Sequence, residues 1–427
     1  MIRSTLASIF LASALSLTAQ VQTITTPRQP VAMHVTSSEI HVLTNRIDVN
    51  FNGQREAEDS PAQWIVIDRL TLGTKSETAF PWANVKSSRP AFSTEANDKL
   101  FIGVDGGLDI YKVSDKSKIN TLPLSNVNGV GYNDNANLIV TSHNAPDFVK
   151  PGTVSLHLAG GTQTMTFDAG INPQQIAWYN FGSEPTHAGF AVVNEGVFGS
   201  ANGRVEVWEN QSKTAIDVGD TPNHITIDDR MAYVTVNGSH WIVVIDLEEK
   251  KAVDTILVGT SGFEGPRESC IHDGRLFVST FAAEVRIFDL ATGDRAGRIA
   301  LGAKPEAIAV IDGRLWVTRA FVTGGYDADS GIDIYDLDDA TSVAADAPAS
   351  APKAYPLPAA SVLTIDGFDA ASTMQARIVS PMGTMIDAAP LLVASSGSRA
   401  QLDVRSLPNG VYTLTTGRNN VRFVVAR

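Results

Sequence analysis

The stretch PRESCIHDGRLFVSTFAAEVRIFDLATGDRAGRIAL, running from Pro266 to Leu301, decides the fold. It contains four short runs of alternating apolar residues, separated by Gly-rich and Asp-Gly turns. Alternation of period two marks strands, and Asp-Gly marks tight turns between them. The same unit restarts at Pro305, as PEAIAVIDGRLWVT and later IDIYDL. It also begins earlier, at Pro222, as PNHITIDDRMAYVT, WIVVIDL and TILVG. A longer copy starts at Pro173 and continues through Phe190–Val193, Val205–Trp208 and Ala215–Val218. Looser copies cover about 126–170, 88–125 and 31–80, giving seven units.

Four antiparallel strands per unit, repeated radially, make a β-propeller blade. The innermost strand follows the proline, the second is the Leu-Phe-Val-Ser type, and the third is Val-Arg-Ile-Phe-Asp-Leu. The outermost ends in Leu-Val-Gly in the Pro222 copy. Val21–Thr25 is left over before the first unit. It is expected to pair as the outer strand of the seventh blade, because an unpaired sheet edge is a liability that closure removes.

At the ends the pattern changes. Arg3 followed by the apolar stretch Leu6–Leu17 reads as a signal peptide over residues 1–19, too short to span a bilayer. The propeller is expected over 20–340, and an Ala/Pro/Ser-rich linker over 341–353. Residues 354–427 alternate again, at Val362–Ile365, Gln375–Val379, Ala400–Val404, Val411–Thr415 and Val421–Val425, and read as a small β-sandwich. The fold class is therefore all-β: a seven-bladed β-propeller followed by a small sandwich.

Three features of the terminal module carry a resemblance. They are Tyr355-Pro356-Leu357-Pro358-Ala359, the run Gln401 to Tyr412 with Leu407-Pro408-Asn409-Gly410, and Val421 to Arg427. In this order, at the chain end, they resemble the type A C-terminal sorting domain of the type IX secretion system. Leu357 stands where that family usually has Asn, and the element around Gly383-Thr384-Met385 is degenerate. The resemblance implies a Bacteroidetes-like host, export through the periplasm to the cell surface or medium, and the type IX secretion machinery as a partner. The propeller resembles surface-layer, YVTN-type seven-bladed propellers. Asn194-Glu195-Gly196-Val197-Phe198-Gly199 also resembles a motif of surface propellers that capture cobalamin, although there it tends to lie in the first blade and here it lies in the fourth.

Composition narrows the chemistry. Lys+Arg total 33 against Asp+Glu 46, a net charge of −13, so no basic excess exists to displace counterions from a nucleic acid. The single cysteine, Cys270, excludes an internal disulfide and a cysteine zinc site, and is expected as a small buried filler. The eight histidines are scattered without ligand spacing. The acids Asp327, Asp329 and Asp333 alternate in a loop as calcium ligands can, but the EF-hand pattern fails. No metal and no cofactor is assigned, and the chain is read as a monomer.

Position is the remaining guide. In a propeller the segment entering each inner strand and the connection between strands two and three share the top face. Variable loops on a rigid repeat usually carry binding. These connections are long in blades one (Asn45–Gln63), three (His143–Gly152), four (Asn194–Gly203) and seven (Arg319–Gly331), with Phe51, Phe148, Phe198 and Tyr326 upon them. The candidate ligand-binding residues are Gln174, Asn223, His224, Trp241, Arg267, Glu268, Glu306 and Tyr326. The ligand would be a small molecule, glycan or protein. The alternatives are a propeller enzyme of lactonase, lyase or hydrolase type, with a channel metal held by oxygens such as Glu268, Glu306 and Asn223, or a cobalamin-capturing propeller.

Overall fold

The structure is a computed structural model. It describes residues 20–337 apart from 51–53, 83–88, 105, 159, 161, 182–187 and 261. Beyond these it describes 353–426 apart from 356–358, 367–375, 381–383, 397–398 and 416–419. The expected signal peptide (1–19) and nearly all of the expected linker lie outside the described residues. Lys353, the linker's expected last residue, is already the first residue of a strand, Lys353–Tyr355.

Residues 20–337 form seven four-stranded antiparallel sheets. Blade six is Pro266–His272, Arg275–Thr280, Glu284–Asp289 and Arg295–Ala300, the four runs read from the sequence. Blade five is Pro222–Asp228, Met231–Val236, Trp241–Asp246 and Lys251–Leu257. Blades one, three and four begin at Pro30, Val127 and Pro173, and blade two has an inner strand of only two residues, Ala91–Phe92. Blade seven contributes Lys304–Ile311, Arg314–Phe321 and Ser330–Asp336. Its outer strand is Gln20–Arg28, antiparallel to Ser330–Asp336, so the chain's N-terminal strand closes the ring.

The core lies between blades rather than within one. A blade must bury both sheet faces, so its middle strands are apolar at consecutive positions. Trp241–Asp246 is buried at every residue. Each cluster straddles a neighbouring pair. Leu43, Trp64, Leu100 and Ile102 join blades one and two. Val207, Ile216, Val234 and Trp241 join four and five. Ile24, Ile40, Ile65, Trp316 and Ile332 join seven and one. Thr23 Oγ1 and Gln20 Nε2 also donate to Asp333 Oδ1 at 2.7 and 3.0 Å, which clasps the closing strand.

Residues 353–426 form two four-stranded sheets around Leu363, Ile365, Ile378, Leu402, Tyr412, Leu414 and Phe423. Tyr412 donates its hydroxyl to the Pro408 carbonyl at 2.8 Å, tying the Leu407–Gly410 turn to the strand that follows it.

Candidate functional site

The repeat proline bends the inner strand where the site is built. Proline has no N–H for the ladder and is tolerated at strand starts and bulges. The pairing with the second strand slips just after Pro30, Pro173, Pro222, Pro266 and Pro305, and after Val127 in blade three. A bulge places extra residues against the partner strand and re-aims their side chains. Gln174, Gln175, Asn223, Arg267, Glu268 and Glu306 all lie within these slips.

The slip frees backbone N–H groups, and the Ser or Thr of the second strand receives them. Ser279 Oγ accepts the Glu268 N–H at 3.0 Å, Thr318 Oγ1 the Ala307 N–H at 2.9 Å, and Ser142 Oγ the Gly129 N–H at 2.8 Å. Some of these hydroxyls also cross to the next blade. Ser142 donates to the Gln174 carbonyl at 2.8 Å, and Thr235 Oγ1 lies 3.0 Å from the Arg267 carbonyl. The Ser/Thr of the repeat is thus a latch between inner strands.

Two adjacent cavities open on the axis. The inner one, of about 260 Å³, draws on all seven blades and includes His34, Arg89, Phe92, Val130, Gln175, His224, Glu268 and Ile308. An Arg89 nitrogen lies 3.7 Å from Glu268, too far for a direct hydrogen bond. Burial therefore outweighs its pull and pushes the Glu268 carboxyl up to about 8. Burial, then Arg89 and Arg267, hold His224 well below its ordinary value, so its imidazole is neutral. Glu195 is pushed up by burial against the pull of the same two arginines, and accepts from Gln174 Nε2 at 3.0 Å.

The second cavity, of about 250 Å³, lies at the mouth between blades six, seven and one. It is lined by Val31, Asn45, Arg267, Phe281, Glu306, Phe321 and Tyr326. Its rings meet edge to face: Phe281 and Phe321 at 5.8 Å and 90°, Phe321 and Tyr326 at 5.7 Å and 74°. Phe263 joins Tyr326 at 6.0 Å. Arg267 stacks on Phe281 at 4.6 Å and donates from Nη2 to Glu306 Oε1 at 2.6 Å. Lys304 Nζ lies 4.2 Å from Tyr326 and 4.3 Å from Phe263, and donates to the Gly325 carbonyl.

Of the eight candidate residues, the structure gathers His224 and Glu268 in the inner cavity and Arg267, Glu306 and Tyr326 at the mouth. Gln174 holds Glu195. Asn223 is buried; its Oδ1 accepts from Thr235 Oγ1 at 2.9 Å, and its Nδ2 has no acceptor among the described residues. Trp241 is a correction. It is 3% exposed in the core between blades four and five, with its indole N–H on the Val218 carbonyl at 2.9 Å. As first residue of a strand buried on both faces it packs, and offers no ring to the rim.

Three other sequence readings are resolved. Arg319 pairs with Asp329 at 3.0 Å and Asp333 at 3.3 Å, so two of the three loop acids are neutralised by the protein itself. Two histidines have carboxylate neighbours: His41 lies 3.6 Å from Glu39, and His272 lies 3.3 Å from Asp273. In the Asn-Glu-Gly stretch, Asn194 ends a strand, and Gly196 and Gly199 take the left-handed φ that the turn requires. Among the described residues no group of three or more His, Cys, Asp or Glu is placed to hold a metal ion.

Sequence reasoning missed Arg89 and the ring partners Phe263, Phe281 and Phe321. Arg89 precedes Pro90, and this Arg-Pro before the short inner strand of blade two was its available signal. Phe263 lies on the connection from blade five to blade six, a top-face loop outside the repeat pattern that would give it a register.

Comparison with known proteins supports the architecture. A structure of U3-55K aligns with a TM-score of 0.56 at 12% identity, covering 75% of this chain and all of that one. The RRP9 WD40 repeats align with a TM-score of 0.56 at 12% identity, covering 74% and 98%. At that identity these likenesses speak for the propeller fold alone. No curated protein matches the chain in sequence. The family described as "Secretion system C-terminal sorting domain" matches residues 353–425, which implies export and an interaction with the type IX secretion machinery. Behind the β-propeller, the chain therefore carries a secretion system C-terminal sorting domain.

Proposed function

We propose that this is an exported, non-enzymatic binding protein of the YVTN-type surface propellers, delivered through the periplasm of a Bacteroidetes-like cell and presenting its top face to a ligand. One observation carries the reading. The exposed aromatic side chains among the described residues, Phe148, Phe198, Phe263 and Tyr326, all lie on top-face connections. Aromatic residues dominate binding energies where they can be buried by a partner. The mouth pocket supports the same face, with two of those rings beside Arg267 and Glu306. Two of the three residues suggested for a channel metal have an oxygen engaged within the protein, Asn223 with Thr235 and Glu306 with Arg267, while the third, Glu268, lines the inner cavity with its carboxyl pushed up by burial. The test is a glycan and metabolite screen of the mature protein beside a Phe263→Ala/Tyr326→Ala variant. Hits lost at least tenfold in the variant support the reading, and hits retained in full contradict it.

A second reading has one observation in its favour. A carboxyl pushed up to about 8 beside a neutral histidine in an axial cavity suits proton transfer. Turnover in a hydrolase and lyase substrate screen, abolished by Glu268→Gln, would favour it.

A further inference from the structure

We infer that the mouth pocket takes a ring acid: a single six-membered ring bearing a carboxylate, with the ring against Tyr326 and Phe321 and the carboxylate on Arg267. The inference rests on the top-face reading and narrows its ligand. Size sets the first limit. About 250 Å³ falls just below the roughly 300–1,000 Å³ of drug-sized sites, leaving room for about one ring and its substituents.

The unspent donors of Arg267 set the second. A guanidinium carries five N–H groups in a fixed fork that matches a carboxylate. Here Nη2 meets Glu306, while the buried Nε has no acceptor among the described residues. A buried donor without a partner is costly and calls for an oxygen from elsewhere. Charge sets the third. At the mouth Arg267 pairs with Glu306 and Lys304 sits over Tyr326; deeper in, Glu268 and Glu195 also act on Arg267 but share the pull of Arg89, and burial keeps the Glu268 carboxyl protonated at neutral pH. Of the other acids nearby, Asp329 and Asp333 are matched by Arg319 and Glu264 by Arg286, while the charge of Asp327, exposed beside Tyr326, is screened by solvent. Phe281 holds the guanidinium plane from one side, so the fork is oriented before a ligand arrives. Tyr326, 59% exposed, remains available to the ring.

Calorimetric titration of the mature protein with sodium glucuronate, sodium benzoate and glucose tests this. At least one acid should bind about tenfold or more tightly than glucose, since charge-assisted bonds are roughly twice as strong as neutral ones. Preference for glucuronate would point to a glycan end, and preference for benzoate to an aromatic acid. Glu306→Gln removes the competing carboxylate while keeping Arg267, and should tighten acid binding several-fold. An arginine serving only as an inter-blade strut predicts no such gain. Arg267→Gln/Glu306→Gln keeps a neutral pair and should erase the preference for acids, with a thermal melt confirming the fold. The inference falls if glucose binds as well as either acid, if Glu306→Gln leaves acid affinity unchanged, or if none of the three binds at millimolar concentration. A neutral glycan from the screen that is lost in Phe263→Ala/Tyr326→Ala would sink the ring acid and leave the top-face reading standing.

Discussion

Replacing Ile24 by alanine should weaken the whole propeller, although Ile24 lies on its outermost strand. The side chain is 5% exposed and packs with Ile40, Ile65, Trp316, Ile332 and Ile334, so it holds blade seven to blade one. Truncating a buried isoleucine costs roughly 2–5 kcal/mol, the transfer of the lost methyls plus the cavity they leave. An edge strand relaxes more readily than a central one, which places the expectation near about 3 kcal/mol. For a domain of this size about 2 °C of melting temperature follows each kcal/mol, so the midpoint should fall by about 6 °C. Val21 lies on the same strand but is 51% exposed, and Val21→Ala should stay within about 0.5 kcal/mol of the parent. Melting both variants by circular dichroism beside the parent isolates the closing contact from the strand's mere presence. Equal midpoints for Ile24→Ala and Val21→Ala would refute the argument that the ring is closed by this packing.

Three other perturbations follow from the same geometry. The folded protein keeps a proton on Glu268 up to about pH 8 that the unfolded chain releases near its ordinary 4.5, so stability is lost as pH rises through that window. Glu268→Gln should therefore match the parent near pH 4 and exceed it by up to about 5 kcal/mol near pH 9, and equal pH profiles in denaturant titrations would count against a buried neutral carboxyl. Thr235→Val removes a fully buried hydroxyl that lies 2.9 Å from Asn223 Oδ1 and 3.0 Å from the Arg267 carbonyl. It should cost about 1–3 kcal/mol in the same titration, and an unaltered midpoint would remove the latch role. A chain ending before Lys353 should fold but remain in the periplasm, so equal surface display of truncated and full-length proteins in cell fractionation would overturn the sorting role.

The ring was legible because its period is written in local chemistry. Each proline marks where a ladder donor is missing, and the Asp-Gly at 273–274 and 312–313 marks the first hairpin of blades six and seven. The closing strand was legible too, since Val21–Thr25 had nowhere else to pair. Tertiary context hid the rest. Trp241 looks like a rim aromatic until its strand proves buried on both faces. Arg89 precedes a two-residue inner strand, so the degenerate repeat gave no register in which to place it. Arg319 turns two acids of a suggestive loop into ion pairs, a contact across a hairpin that spacing alone does not show. In the terminal module the strand Leu392–Ser396 and the three-residue strands Lys353–Tyr355 and Met385–Asp387 are too short or too weakly alternating to announce themselves.

A site-directed block tests the central claim most directly. The only native cysteine, Cys270, is half-buried rather than the fully buried filler expected, and desolvation pushes its thiol up to about 12, so a fully exposed introduced cysteine is labelled in preference to it. Asp327→Cys places the label beside Tyr326 at the mouth, and Leu70→Cys places it on the opposite face, where Leu70 is 91% exposed. Binding of the screen's hits is then measured before and after reaction with a bulky maleimide. The account predicts that labelling Asp327→Cys abolishes binding and that labelling Leu70→Cys leaves it unchanged. Binding that survives the block at the mouth, or is lost with the block on the opposite face, would contradict it.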